Sequence, residues 1–188
     1  GVFYPDSFEK HFSFNDLIHK GALTGIRVEG PTNSVDQRIK RLSKELDLLE
    51  NEYSVLNVEQ SNIFWKKTKN LEVFSNTEKN LLRVVVPVSE TLNFLQKLKN
   101  VDLSYFLDWG GSLIWLELND ISIKILNEIK DITKDHNGYF TIIKVEEDMK
   151  ASADIFTIDP IKYKISEKIK KSFDPKRIFN PGKMYTGI

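Results

Sequence analysis

Residues Leu81 to Val88 read Leu-Leu-Arg-Val-Val-Val-Pro-Val, a nearly continuous β-branched run with one charge inside it. Such a run fits a strand buried on both faces, and Pro87 must lie at its end or on an edge because it cannot donate to a ladder. Everything around it then has to supply a sheet and the helices that cover it. Ser89 is placed to cap a short helix carrying Leu92, Leu95 and Leu98. Leu103 to Trp109 alternates as a strand, with Leu103, Tyr105, Leu107 and Trp109 on one side. Gly110-Gly111 breaks it, and Leu113 to Leu118 resumes a strand. Asn119 caps a helix whose Ile121, Ile125, Ile129 and Ile132 form one stripe, and Gly138 after His136-Asn137 reads as a left-handed stop. Tyr139 to Val145 is a further strand, followed by an irregular linker from Glu146 to Ile158.

The first half is less regular. Residues 1–22 are aromatic-rich, with Phe3, Tyr4, Phe8, Phe12 and Phe14 and no clean period. Gly25 to Glu29 reads as a short strand closed by Gly30-Pro31. Val35, Ile39, Leu42, Leu46 and Leu49 are spaced four, three, four and three apart, which predicts a helix capped by Asn33 or Ser34. Tyr53 to Val58 is a weak strand, and a short helix carrying Phe64 and Trp65 follows. The repeated strand–helix–strand order predicts an α+β fold. It is a ferredoxin-like antiparallel sheet with helices on one face, built from repeated βαβ units and closed by a C-terminal helix and an extended tail. Segments 1–22, 23–158 and 159–188 are the expected connecting piece, sheet domain and helix with tail.

Asp159-Pro160 opens the last helix as N-cap and first residue, with Ile161, Ile165, Ile169 and Phe173 expected inward and five lysines around them. Pro175 stops the helix at Asp174, and Pro181 holds Asn180 extended before Gly182. A tail held this tightly points to docking.

Lys plus Arg and Asp plus Glu both total 27, so the net charge is zero and neither an electrostatic nucleic-acid binder nor a polybasic membrane binder is expected. No cysteine occurs, which removes disulfides and thiolate metal sites and is compatible with the cytoplasm. No apolar run approaches the roughly 20 residues of a membrane helix. Gly1 in place of methionine is read as the start of a fragment. His11, His19 and His136 lie far apart, without ligand spacing, so no metal site is expected. No Gly-x-Gly-x-x-Gly, phosphate-loop or nucleophile-elbow signature occurs, and no catalytic residue can be assigned. Trp109 and Trp115 are the residues that could stack on a ligand, although core aromatics are the more common case.

Three segments in order carry a resemblance. The tail Lys170 to Tyr185, with Asp174-Pro175 and then Asn180-Pro181-Gly182-Lys183-Met184-Tyr185, resembles the end of the FAD-linked oxidase C-terminal domain of the vanillyl-alcohol-oxidase flavoprotein superfamily. Asp108-Trp109-Gly110-Gly111 with Trp115-Leu116, and Gly138 to Lys144, are similar to stretches of glycolate oxidase FAD-binding subunits of the E type. Phe64-Trp65-Lys66 and the strand at Leu81 also fit. The resemblance covers roughly residues 23–188.

It implies the cap domain of an FAD-dependent subunit that oxidises 2-hydroxy acids within a multi-subunit complex. FAD would be held mainly by an N-terminal FAD-binding domain. Asn180, Pro181, Gly182 and Lys183 would reach back toward the flavin, and Asp108, Trp109 and Trp115 would face the substrate. Catalytic relatives carry histidines where this chain has Asp108-Trp109-Gly110-Gly111. Their absence here implies an accessory subunit working beside a catalytic flavin subunit and an iron–sulfur subunit. Its place would be cytoplasmic, or peripheral at the inner membrane through those partners. The alternative is a non-catalytic ligand-binding or regulatory module on the same sheet, and a third is a complete dehydrogenase whose acid–base group lies elsewhere.

Overall fold

The computed structural model describes residues 1–8, 21–48, 53–74, 79–146, 149 and 159–181. The chain is α+β and divides into two compact units, Gly1–Thr77 and Glu78–Ile188.

In the first unit, β1 (Val2–Tyr4) pairs antiparallel with β2 (Leu23–Gly25), Val2 opposite Gly25. Helices α1 (Thr32–Glu45) and α2 (Val58–Lys69) follow. Aromatic edges make the core. Tyr4 meets Phe8 and Phe64 edge-on, and Phe8 meets Phe74 the same way. The Tyr4 hydroxyl donates to Thr68 Oγ1 at 2.9 Å, and that hydroxyl donates to the Phe64 carbonyl at 3.1 Å, so the phenol is buried without an orphaned group. Gly25 is required by close approach, since a Cβ there would lie 2.9 Å from the Phe64 ring. Asn57 and Gln60 form a reciprocal capping box that starts α2.

Several sequence expectations are corrected in this unit. Residues 53–57 are not a strand, while the helix expected to carry Phe64 and Trp65 is present as α2. The strand expected at Gly25 to Glu29 is Leu23–Gly25. The first helix begins after Pro31, with no side-chain cap from Asn33 or Ser34. Leu49, at the end of the expected stripe, lies outside the described residues.

The second unit runs β3 (Asn80–Val85), α3 (Thr91–Lys97), β4 (Leu103–Asp108), β5 (Leu113–Leu118), α4 (Ile123–Asp135), β6 (Tyr139–Lys144) and α5 (Pro160–Phe173). Its antiparallel strands stand in the order β4-β5-β3-β6, so β5 enters between the parallel β3 and β4. This is the split βαβ arrangement of a ferredoxin-like sheet. Leu82 and Val84 of β3, Ile114, Leu116 and Leu118 of β5, and Phe140 and Ile142 of β6 share one face. They pack with Phe94 and Leu98 of the first crossover and Leu126 and Ile129 of α4.

Here too some local expectations change. Ser122, not Asn119, caps α4, its hydroxyl accepting from the Ile125 N–H at 3.2 Å. Ser89 lies inside a 3-10 turn, Val88–Glu90, that leads into α3. The left-handed residue ending α4 is Asn137, with φ 53°, while Gly138 serves close approach: a Cβ there would stand 2.7 Å from the Val85 carbonyl oxygen. Asp159 caps α5 as expected, accepting from the Ile161 and Lys162 amides at 2.8 and 3.2 Å. Most of the linker expected between Glu146 and Ile158 is outside the described residues.

The largest correction concerns α5. Ile161, Ile165, Ile169 and Phe173 are 69, 53, 55 and 84% exposed rather than inward. Two isoleucines on helices thus give a matched test. Ile129→Ala, at 0% exposure, will cost about 2–5 kcal/mol by leaving a cavity, whereas Ile165→Ala, at 53%, will cost under about 0.5 kcal/mol. Urea unfolding of the two variants measures both.

Candidate functional site

On the sheet face opposite α3 and α4, the ladder sets Arg83 opposite Trp115 and Trp115 opposite Phe106, with Thr141 on the other side of Arg83. Phe106 is fully buried and its ring stacks on Trp115 at 6.4 Å between centroids. The expected alternation of β4 holds for Leu103, Tyr105 and Leu107, which pack against the core. Trp109 departs from it. It leaves the strand in the left-handed region and is 59% exposed, with the Arg83 guanidinium 5.1 Å from its ring centroid.

That turn is built in detail. Trp109, Gly110 and Gly111 have φ of 52°, 68° and 103° in succession. Glycines accept this freely and tryptophan does not, so the turn stores strain that other contacts must hold. The Asp108 carboxylate accepts the Trp109 N–H at 2.7 Å, and Ser112 Oγ donates to the Trp109 carbonyl at 3.3 Å. The Thr91 hydroxyl donates to the Gly111 carbonyl at 2.7 Å, tying the turn to the start of α3. Asp108, Trp109 and Trp115 therefore lie near one another around this turn and the face that carries Arg83. Arg83 at its centre was missed, although it is the one charge inside the run Leu81 to Val88 and that was its signal.

The second cluster lies at the end of α5. Asp174 is buried, 6% exposed, and its carboxylate accepts the Ile178 and Phe179 amides at 3.0 Å each. Lys170 pairs with the same carboxylate at 2.8 Å and donates to the Phe179 carbonyl. The tail is thereby folded back on the helix that precedes it. Asn180 is not extended but left-handed, φ 47°, a region asparagine tolerates better than most residues. Pro181 is exposed, and Gly182 and Lys183 lie outside the described residues. This cage displays apolar groups, since Ile178 and Phe179 are 68 and 66% exposed, and Phe173 at the end of α5 is exposed as well.

Among the described residues, no set of three or more His, Asp or Glu side chains is placed to hold a metal, and no helix is long and apolar enough to cross a membrane. Compared with known protein families and with curated protein sequences, the chain matches none.

The cage titrates. The Lys170 ammonium and the Phe179 and Ile178 amides hold the Asp174 carboxyl below its ordinary 3.8, against the opposing effect of burial. A carboxyl lowered on folding stabilises the folded tail above that ordinary value and ceases to as pH falls through the folded value. The Ile178 and Phe179 amide resonances are expected to stay fixed from neutral pH down to about 4 and to move below 3.8, and Asp174→Asn to shift them already at neutral pH. A two-dimensional NMR pH titration reads this directly.

Proposed function

We propose that the chain is the cap domain of an FAD-dependent oxidoreductase subunit of the glycolate oxidase type, acting on 2-hydroxy acids as an accessory subunit. The observation that carries the reading is the display of apolar groups by a locked C-terminal element. Each exposed Ile or Phe of α5 and its tail would gain about 1.5–3 kcal/mol on full burial, so the stripe is a strong docking element and contributes little to the fold as it stands. α5 carries five lysines and one glutamate, and the four lysines other than Lys170, which Asp174 holds, suit an acidic rim on the partner. An N-terminal FAD-binding domain is the partner the resemblance implies, with a catalytic flavin subunit and an iron–sulfur subunit beyond it.

FAD would bring hydride acceptance from a CH–OH donor. The fit of this chain to it is that of a lid. The sequence has no glycine-patterned pyrophosphate loop, while Asn180 and Pro181 stand exposed at the end of the Asp174 cage, where a neighbouring domain could receive them. Gly182 and Lys183 complete that set. On the sheet face, Trp109 and Trp115 offer surfaces to a substrate and Asp108 holds the turn between them. No histidine lies in the Asp108-to-Ser112 turn to take a carbinol proton, which is why the reading is an accessory subunit.

The test is a double substitution in the gene product that carries both domains. Ile165→Glu with Phe173→Glu is expected to leave the melting of this domain within about 0.5 kcal/mol while releasing the flavin, read by the absorbance near 450 nm after gel filtration. Full flavin occupancy in that variant overturns the docking role of α5. A wild-type protein that never carries flavin overturns the whole reading in favour of a ligand-binding module.

A further inference from the structure

We propose that the sheet face around Arg83, Trp109 and Trp115 is a binding site for an organic carboxylate with an aromatic body. Arg83 is half-buried on a strand that has β5 on one side and β6 on the other, and among the described residues its guanidinium has no carboxylate and no hydrogen-bond acceptor. Burial of an unpaired cation is costly, and the stack on Trp109 offsets only about 0.5–1 kcal/mol of it. The contact with the Trp109 ring uses no hydrogen bond, and among the described residues none of the guanidinium N–H groups has an acceptor. Those form the fork that matches a carboxylate.

The surroundings are biased the same way. The indole N–H groups of Trp109 and Trp115 have no acceptor among the described residues, so two further donors lie in the same cluster as the guanidinium. Lys162 adds a second cation, its ammonium 4.9 Å from the ring centroid of Tyr139, which occupies the same face of the neighbouring β6. The acids on this face are engaged. Asp108 accepts the Trp109 N–H, and Glu117 is buried and paired with Lys79 at 3.3 Å. A donor-rich, cationic surface calls for an anion. One guanidinium fork and the nearby Asp108 favour a monoanion over a phosphate dianion, and the indole and phenol rings favour an aromatic body beside the charge.

The inference agrees with the flavoprotein reading on the placing of a ligand beside Trp109 and Trp115 and on a carboxylate, since 2-hydroxy acids are carboxylates, but Arg83 carries the carboxylate without any flavin. The experiment contains no flavin, so either can fail alone. The full chain, labelled with nitrogen-15, is titrated with 3-phenyllactate and with its neutral amide, 3-phenyllactamide. Glycolate and inorganic phosphate serve as small-anion and dianion arms. The indole N–H signals of Trp109 and Trp115 are expected to shift saturably with 3-phenyllactate, with that of Trp65 unmoved, and the amide and both inorganic and small-anion arms to bind at least about tenfold more weakly. Arg83→Gln is expected to weaken 3-phenyllactate by about tenfold or more, and Arg83→Lys to recover only part of that because it restores the charge without the fork. If Arg83→Gln does not fold, Arg83→Lys and the amide arm decide. Equal binding of acid and amide, tighter binding of phosphate, or Arg83 variants that bind like wild type would each overturn the site.

Discussion

Strands β3 and β5 pair residue for residue from Asn80 opposite Leu118 to Val85 opposite Leu113, and the rest of the second unit depends on that register. With a period of two, it puts Leu82, Val84, Ile114, Leu116 and Leu118 under the helices and Arg83 and Trp115 on the reverse. A slip by one residue would exchange the faces, burying a guanidinium among Phe94 and Ile129. The alternation cannot move without an unpaired charge entering a dry core, so the core that stabilises the sheet also aims the candidate site.

Two turns convert that ladder into a surface. The strained Trp109-Gly110-Gly111 turn rotates one indole out of the strand and over the guanidinium that the register has placed there. Its holding bonds come from Asp108, Ser112 and Thr91, so the turn is tied at once to β4, to β5 and to α3. At the other end of the molecule's second half, Gly138 brings the end of α4 so close to Val85 and Val86 that no side chain fits, and this seats β6 beside β3. Tyr139 then begins β6 on the face that carries Arg83.

Strands with strong β-branched or alternating patterns were readable, and so were the helix-opening Asp159-Pro160 and helix-ending Asp174-Pro175 pairs, because local sterics decide them. The caps of α3 and α4 were not, since Ser89, Asn119 and Ser122 are all competent and only tertiary packing selects the turn that starts each helix. The short strand misread at Tyr53 to Val58 has the same origin: propensity there is weak, and the Asn57–Gln60 capping box begins a helix instead. Trp109 and Trp115 were legible as candidates by residue type, and Asp108 entered only with the resemblance of Asp108-Trp109-Gly110-Gly111. Arg83 was not legible, because a single charge in an apolar run is visible while its cross-strand neighbours depend on a register that no local pattern states.

The α5 stripe is the case where correct periodicity led to the wrong inference. Isoleucines at spacing four do form a helix with one apolar face, but periodicity says only that the face shuns water and not which surface covers it. The Asp174 cage is the feature on which the proposed docking rests. A helix that merely frays has no need for a buried carboxylate binding two amides and a lysine just beyond its last turn. Here those bonds fix the backbone at Ile178 and Phe179, and ordering exposed apolar residues costs conformational entropy with little burial to offset it within the described structure. In the proposed docking, the compensation for polar contacts that hold apolar groups outward is a surface brought to them. That is the physical ground for assigning the tail to an interface.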